Sequence, residues 1–181
     1  MSDSDYHQQI EAWRGERDRF FREHYASPLS DEAIEQFTGL DYFEVDESLV
    51  YAARFRAADL GRIAIDSSTG AVSDYRVAGI VEVPFSDGVA SLIALLGEEG
   101  EAYIPFRDRT CGAESYGGGR YLSIESDEEG SCVVDFNRAI NPYCAYDPEF
   151  SCPLPPPQNW LNRSISAGEK DYRSHEEPDV G

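Results

Sequence analysis

Between residues 49 and 136 the apolar side chains fall at alternate positions, and the breaks in that alternation carry turn chemistry. This pattern limits the fold more than any other feature of the chain. The segments 49–57, 62–66, 72–85, 89–96, 101–106, 120–125 and 132–136 read as strands. The short connections "SSTG", "SDG", "GEEGE" and "SDEEG" supply glycine for positive φ and Asp or Ser for side-chain capping of the turn. Many short strands joined this way close as an antiparallel sandwich or barrel. A last strand over 162–167 is expected to complete it. Ahead of the strands, Tyr6, Ile10, Trp13, Arg17, Phe20, Phe21 and His24 follow helical spacing, which predicts an amphipathic helix over 6–25. "SPLS" stops that helix, and Ser27 or Ser30 caps a short one over 31–37 that Gly39 ends. The expected fold is mainly β (α+β): an N-terminal helix packed on an antiparallel β-barrel or β-sandwich with long irregular loops. Residues 1–172 are expected to form one domain, and 173–181 an acidic tail.

Hydrophobic residues make up 41% of the 181, enough for a core, and no apolar run reaches the length of about 18 that a membrane span needs. "MSDSDYHQQ" has neither the basic nor the apolar region of a signal peptide, so a cytoplasmic protein with no membrane contact is expected. The formal charge is −20, and of 15 basic residues Lys170 is the single lysine. An acidic surface nearly purged of lysine suits concentrated intracellular salt, where screening over about 3 Å at 1 M removes the mutual repulsion of carboxylates. An acidic nucleic-acid mimic or a cation buffer is the competing reading. Neither offers the basic stripe that phosphate contact requires, so no nucleic-acid partner is expected. On the salt reading, melting temperature falls as KCl is lowered from about 3 M to about 0.1 M; a flat profile in a thermal-melt series would reject it. The charge is also uneven. Residues 102–124 and 131–168 together hold five basic and five acidic residues, while the rest of the chain carries the whole surplus. Either that neutral portion is core or its surface is committed to a ligand or partner.

All three histidines, His7, His24 and His175, lie near the two ends, which leaves the body of the chain without Ser-His-Asp or Cys-His chemistry. Chemistry there rests on carboxylates, arginines, tyrosines, cysteines and one lysine. In "FRDRTCGAESYGGGRY" the glycine triplet is followed by a strand rather than by a helix and a Lys-Ser/Thr ending, so it is a poor phosphate loop. A wide hairpin explains the glycines equally. Arg107 and Arg120 can form a fork for a carboxylate or phosphate, with amides of Gly118 and Gly119 turned toward it. Asp135 and Asn137 share a strand end, and a buried Asp135 paired with Arg107 or Arg120 is expected. "INPYCAYDPEFSCPLPPPQNW" sets two cysteines and a polyproline strap in one loop, and "CPLPPPQN" cannot pair in a sheet. Cys111, Cys132, Cys144 and Cys152 contain no CxxC, so no metal is expected; Cys144 with Cys152 is the weak alternative for a metal or a disulfide. In "AGEK" the lone Lys170 suggests a point charge on an anion, an ion pair or a desolvated amine.

The stretches "IPFRDRTCGAESYGGGRYL", "VVDFNRAINPYCAY", "CPLPPPQN" and "AGEK", with "W...R..FF", "SPL" and "F.GL.YF" before them, resemble domain of unknown function family 1684, found in bacteria and haloarchaea. The resemblance covers most of the chain and implies a shared fold. It puts Arg107, Asp108, Tyr116, Gly118, Gly119, Arg120, Asp135, Asn137, Asn141, Cys144, Cys152 and Lys170 in motif positions. "NRAINPY" stands where the family usually has a tyrosine and a second proline near "AYNPP". The family brings no activity or cofactor with it.

The functional expectation is a site for a small anionic or polar molecule where the two long loops meet. Arg107, Arg120 and Lys170 supply charge, Asp108, Asp135, Asn137 and Asn141 orient it, and Tyr116 and Tyr146 form walls beside Gly118 and Gly119. Cys144 and Lys170 are the weak catalytic candidates. The alternative is a non-catalytic module that docks a protein partner through the proline strap. The two differ in what they need: a deep polar cavity for the first, and a flat apolar patch around residues 153–160 for the second.

Overall fold

The structure, a computed structural model, describes residues 3–172. The expected acidic tail at 173–181, with His175, lies outside the described residues. Two helices, α1 (Asp3–Glu23) and α2 (Asp31–Gln36), precede seven strands. These are β1 (Val50–Ala57), β2 (Arg62–Asp66), β3 (Val72–Phe85), β4 (Gly88–Leu96), β5 (Ala102–Phe106), β6 (Arg120–Ile124) and β7 (Ser131–Asp135). Every predicted strand up to 136 is present within a residue or so of its expected bounds. Ser30 caps α2 by accepting from the Ala33 amide at 3.2 Å, while the Ser27 hydroxyl donates to the Phe21 carbonyl and closes α1.

The strands form one antiparallel sheet in the order β6-β5-β4-β3-β1-β7, with β2 paired to the first half of the long β3. In β3 the alternation is regular from Val77: Val77, Val81, Val83 and Phe85 face the core. A register shift against β4 at Val77/Gly79 adds local bend. Strands β6 and β7 are consecutive in the chain yet end the order on opposite sides, and only the turn at residues 125–130 joins them. The sheet must therefore curl back on itself. It does so incompletely, as a half-barrel: between β6 and β7 there is a bridge at Ser126 and Cys132 but no ladder.

The concave face holds Val81, Val83, Leu92, Ile104, Phe106, Leu122, Val134 and Phe136, and Ile165 and Ala167 plug it from the far side. Phe106 and Phe136 meet edge to face at 5.3 Å; each such ring buried is worth about 1.5–3 kcal/mol. A second cluster of Phe21, Leu29, Phe37 and Leu40 fixes α1 and α2. Helix α1 buries a stripe of Ile10, Arg14 and Phe21, so the stripe is not wholly apolar: Arg14 Nη2 donates to the Phe43 carbonyl at 2.9 Å. No helix among the described residues is long and apolar enough to cross a membrane.

The expected strand at 162–167 is absent. Its backbone groups are already taken by side chains: the Ile165 amide donates to Asp108, and the carbonyls of Ile165 and Ala167 accept from Arg120. These three bonds, with the Arg109 amide on the Arg163 carbonyl, stand where a strand would make its ladder.

Candidate functional site

The glycine hairpin between β5 and β6 builds its own interior. Asp108 follows β5, Arg120 opens β6, and both side chains are fully buried with Arg120 Nη2 3.2 Å from Asp108 Oδ1. Asp108 also accepts from the Ile165 amide at 2.7 Å and the Thr110 hydroxyl at 2.8 Å. Arg120 Nη1 donates to the carbonyls of Ala167 and Glu169, and Nη2 to that of Ile165. Burial pulls the Arg120 guanidinium below its ordinary pKa, and Asp108 opposes the shift. The expected partner Asp135 is therefore replaced by Asp108. The reason is sidedness: Arg120 points into the concave core, whereas Asp135 at the end of β7 takes the Tyr6 hydroxyl at 2.9 Å and Arg138 Nε at 3.5 Å. Asn137 completes that second knot. It is buried, accepts from the Asp46 amide at 2.8 Å and donates to the Asp46 carbonyl at 2.8 Å. The knot pins the start of α1 to the sheet.

In "AGEK" the charged centre is Glu169 rather than Lys170, and sequence reasoning missed it. Glu169 is 1% exposed and receives Arg17 at 3.0 Å, the Asn141 amide at 3.0 Å and the Tyr146 hydroxyl. Burial raises its pKa, against Arg17, Tyr146 and the Asn141 amide. Asn141 Nδ2 also holds the Lys170 carbonyl at 2.7 Å. Tyr146 packs edge-on to Phe21 at 4.8 Å, which places it in the α1 interface. Lys170 Nζ lies 5.2 Å above the Phe43 ring. The signal for Glu169 was available in principle: it is the one carboxylate inside an otherwise small-residue motif.

The two long loops do converge, as expected. Tyr116 of the hairpin reaches Cys144 Sγ at 3.6 Å, and Gly119 lies directly under Pro155. Strands β4 and β5 pair only at their Leu95–Tyr103 end, and Asn159 fills the gap they leave. Its amide donates to the Ile93 and Pro105 carbonyls and accepts from the Ile93 amide, as a peptide group would. The strap at residues 153–160 thus turns Pro155, Pro156 and Asn159 inward. Arg107 sits beside it with its guanidinium 5.4 Å from the Trp160 ring. Gly118 abuts the Tyr116 ring. The Cys144 and Cys152 thiols are near enough to act on each other, Cys152 lowering the pKa of Cys144 and Cys144 raising that of Cys152.

The sequence-predicted residues therefore occupy several places, and of them only Asp135 borders the cleft between β6 and β7. That cleft, of about 630 Å³, occupies the gap between the facing edges of β6 and β7. Leu122, Val133 and Ile140 supply apolar walls, Glu125 and Asp135 carboxylates, and Trp13, Arg17 and Arg138 close one side. The guanidinium of Arg17 is 5.5 Å from the Trp13 ring and that of Arg138 5.4 Å. None of these three was predicted as a site residue. Trp13 and Arg17 read as one face of an amphipathic helix, and nothing in a linear pattern shows that this face overhangs an open seam in a sheet.

No curated protein matches the chain. Residues 35–170 match the family described as "Protein of unknown function (DUF1684)". The solution NMR structure of an uncharacterised protein of Haloarcula marismortui is similar at a TM-score of 0.70 and 34% sequence identity, over 92% of this chain and 95% of that one. The motifs, the family match and the shared half-barrel agree: the chain belongs to the DUF1684 family of proteins of unknown function.

Proposed function

We propose that the protein binds a small polar molecule with an anionic group in the cleft between β6 and β7. One observation carries the reading: Trp13, flanked by the guanidinium groups of Arg17 and Arg138, stands over a cleft of about 630 Å³. Small-molecule sites commonly span about 300–1,000 Å³, with apolar walls and a few polar groups to fix orientation. An aromatic face with flanking guanidinium groups offers both stacking and charge-assisted hydrogen bonds. The lining sets two arginines against two carboxylates, Glu125 and Asp135, so on a chain of charge −20 this cleft is locally balanced and repels an anion less than the surface around it. No catalytic step is assigned to it.

Trp13 and Trp160 are the only tryptophans, so Trp160→Phe leaves Trp13 as the sole reporter of the cleft. Native mass spectrometry of protein purified in high salt is expected to show a retained small molecule. Trp13 fluorescence is expected to respond to at least one of inorganic phosphate, citrate and AMP. Arg138→Ala then weakens that response roughly ten- to hundredfold, the worth of one charge-assisted hydrogen bond. No retained mass and a flat titration with all three probes would reject the reading.

A further inference from the structure

Cys144 and Cys152 differ from the other two cysteines in their surroundings. All four are free thiols. Cys111 Sγ contacts Asp108 at 3.5 Å and the Ser115 hydroxyl at 3.8 Å, and Cys132 is buried within β7. Cys144 and Cys152 instead lie against each other. The short loop between them is not what holds them in place. Ser68, in the turn between β2 and β3, grips Cys152 twice: its amide donates to the Cys152 carbonyl at 2.9 Å, and its hydroxyl accepts from the Cys152 amide at 3.1 Å. Tyr116, in the glycine hairpin, points its hydroxyl at Cys144 Sγ. Elements distant in sequence thus hold the Cys152 backbone and face the Cys144 sulfur from either side of the loop at residues 145–151.

We infer that Cys144 and Cys152 form a redox-active dithiol that hydroperoxides convert to an intramolecular disulfide, with Cys144 as the attacking sulfur. The surroundings divide the roles. Cys152 and the Tyr116 hydroxyl offer hydrogen bonds to the Cys144 sulfur, with Ser68 beside it, and these surroundings lower its pKa against burial. Donating to Cys144, together with burial, raises that of Cys152. The first proton therefore leaves from Cys144. Its thiolate attacks one oxygen of hydrogen peroxide, the O–O bond breaks, and the departing hydroxide takes a proton to become water. Cys144 is then a sulfenic acid. The Cys152 sulfur attacks the Cys144 sulfur, forms the S–S bond and expels hydroxide, which takes the Cys152 proton as a second water. Two thiols and one peroxide give one disulfide and two waters, and the thiols supply both electrons. A reducing thiol reverses the change. The inference is independent of the cleft between β6 and β7.

The test treats the full chain with equimolar hydrogen peroxide and reads intact mass and non-reduced peptide maps. The expected result is loss of two hydrogens, a Cys144–Cys152 linked peptide, and Cys111 and Cys132 still open to alkylation after unfolding. Cys152→Ser, which removes the resolving sulfur, should leave a Cys144 sulfenic acid that dimedone traps. Iodoacetamide labelling of native Cys144 should show a pH midpoint below the ordinary thiol value of about 8.5. Parallel consumption of all four cysteines, a dimedone adduct on another cysteine, or a Cys144 midpoint at or above that value would each overturn the proposal. The mass and labelling measurements use the unmutated chain, so they stand even if the variant folds poorly.

Discussion

Arg120→Ala should lower the melting temperature by about 6–20 °C, while Arg54→Ala leaves it nearly unchanged. The first figure follows from breaking a buried ion pair, which costs about 3–5 kcal/mol, at about 2–4 °C per kcal/mol for a chain of this length. Both partners are fully buried, so solvent screening does not discount the pair. Removing the guanidinium also strands the carbonyls of Ile165 and Ala167 and leaves Asp108 as a carboxylate in the core with no cation. Arg54 is exposed and, among the described residues, donates to the Glu129 carbonyl alone, at 3.3 Å. Arg120→Lys should not restore stability, since an ammonium on a flexible stem cannot meet the four oxygens that the planar fork meets. A loss under about 1 kcal/mol by chemical denaturation would place the pair in the class of screened surface contacts and reject this account.

Gly168→Ala should destabilise by about 2–5 kcal/mol, through two separable causes. The backbone at Gly168 has φ +76°, where a side chain costs about 1–2 kcal/mol. A Cβ there would also stand 2.7 Å from the backbone carbonyl oxygens of Ala139 and Phe136, an overpacking worth about 1–3 kcal/mol more. Gly61 supplies the control, because it has the same φ of +76° with nothing within 4 Å of a Cβ. Gly61→Ala should show the conformational cost alone. Equal losses at the two positions, measured by urea melts, would mean that the segment carrying Gly168 shifts freely and is not wedged against the turn after β7.

The strands and α1 were legible because they answer to one local variable each, alternation or helical spacing. The last segment was not: 162–167 alternates like a strand, but its backbone is satisfied by Arg120 and Asp108 from a hairpin more than forty residues away. Charge counting located the neutral portion of the chain, and that portion does contain Asp108 and Arg120. It could not tell which carboxylate Arg120 would meet, because Asp108 and Asp135 both sit beside strand ends and only the curl of the sheet puts one inside and the other at an edge. The cleft was illegible for the same reason. Its walls come from β6, β7 and α1, three elements whose meeting is a property of the closed sheet, so Trp13 and Arg138 carry no local mark of it.

Sheet order also sets a timetable. During synthesis β3, β4, β5 and β6 can each pair with a strand already made, but β1 waits for β7, since Val50 pairs with Asp135. That is about 85 residues of further translation, or roughly 4–17 s at ordinary elongation rates of about 5–20 residues per second. Throughout that interval the outer edge of β1 is an unpaired template on which another nascent chain can add. Arg54 and Arg56 are both exposed on β1, and charged side chains along a strand are a usual defence against such pairing. In the finished chain β7 covers that edge from Val50 to Arg54, and Arg56 pairs across β1 and β3 with Glu82 at 2.9 Å, so the fully open edge belongs to the unfinished chain alone.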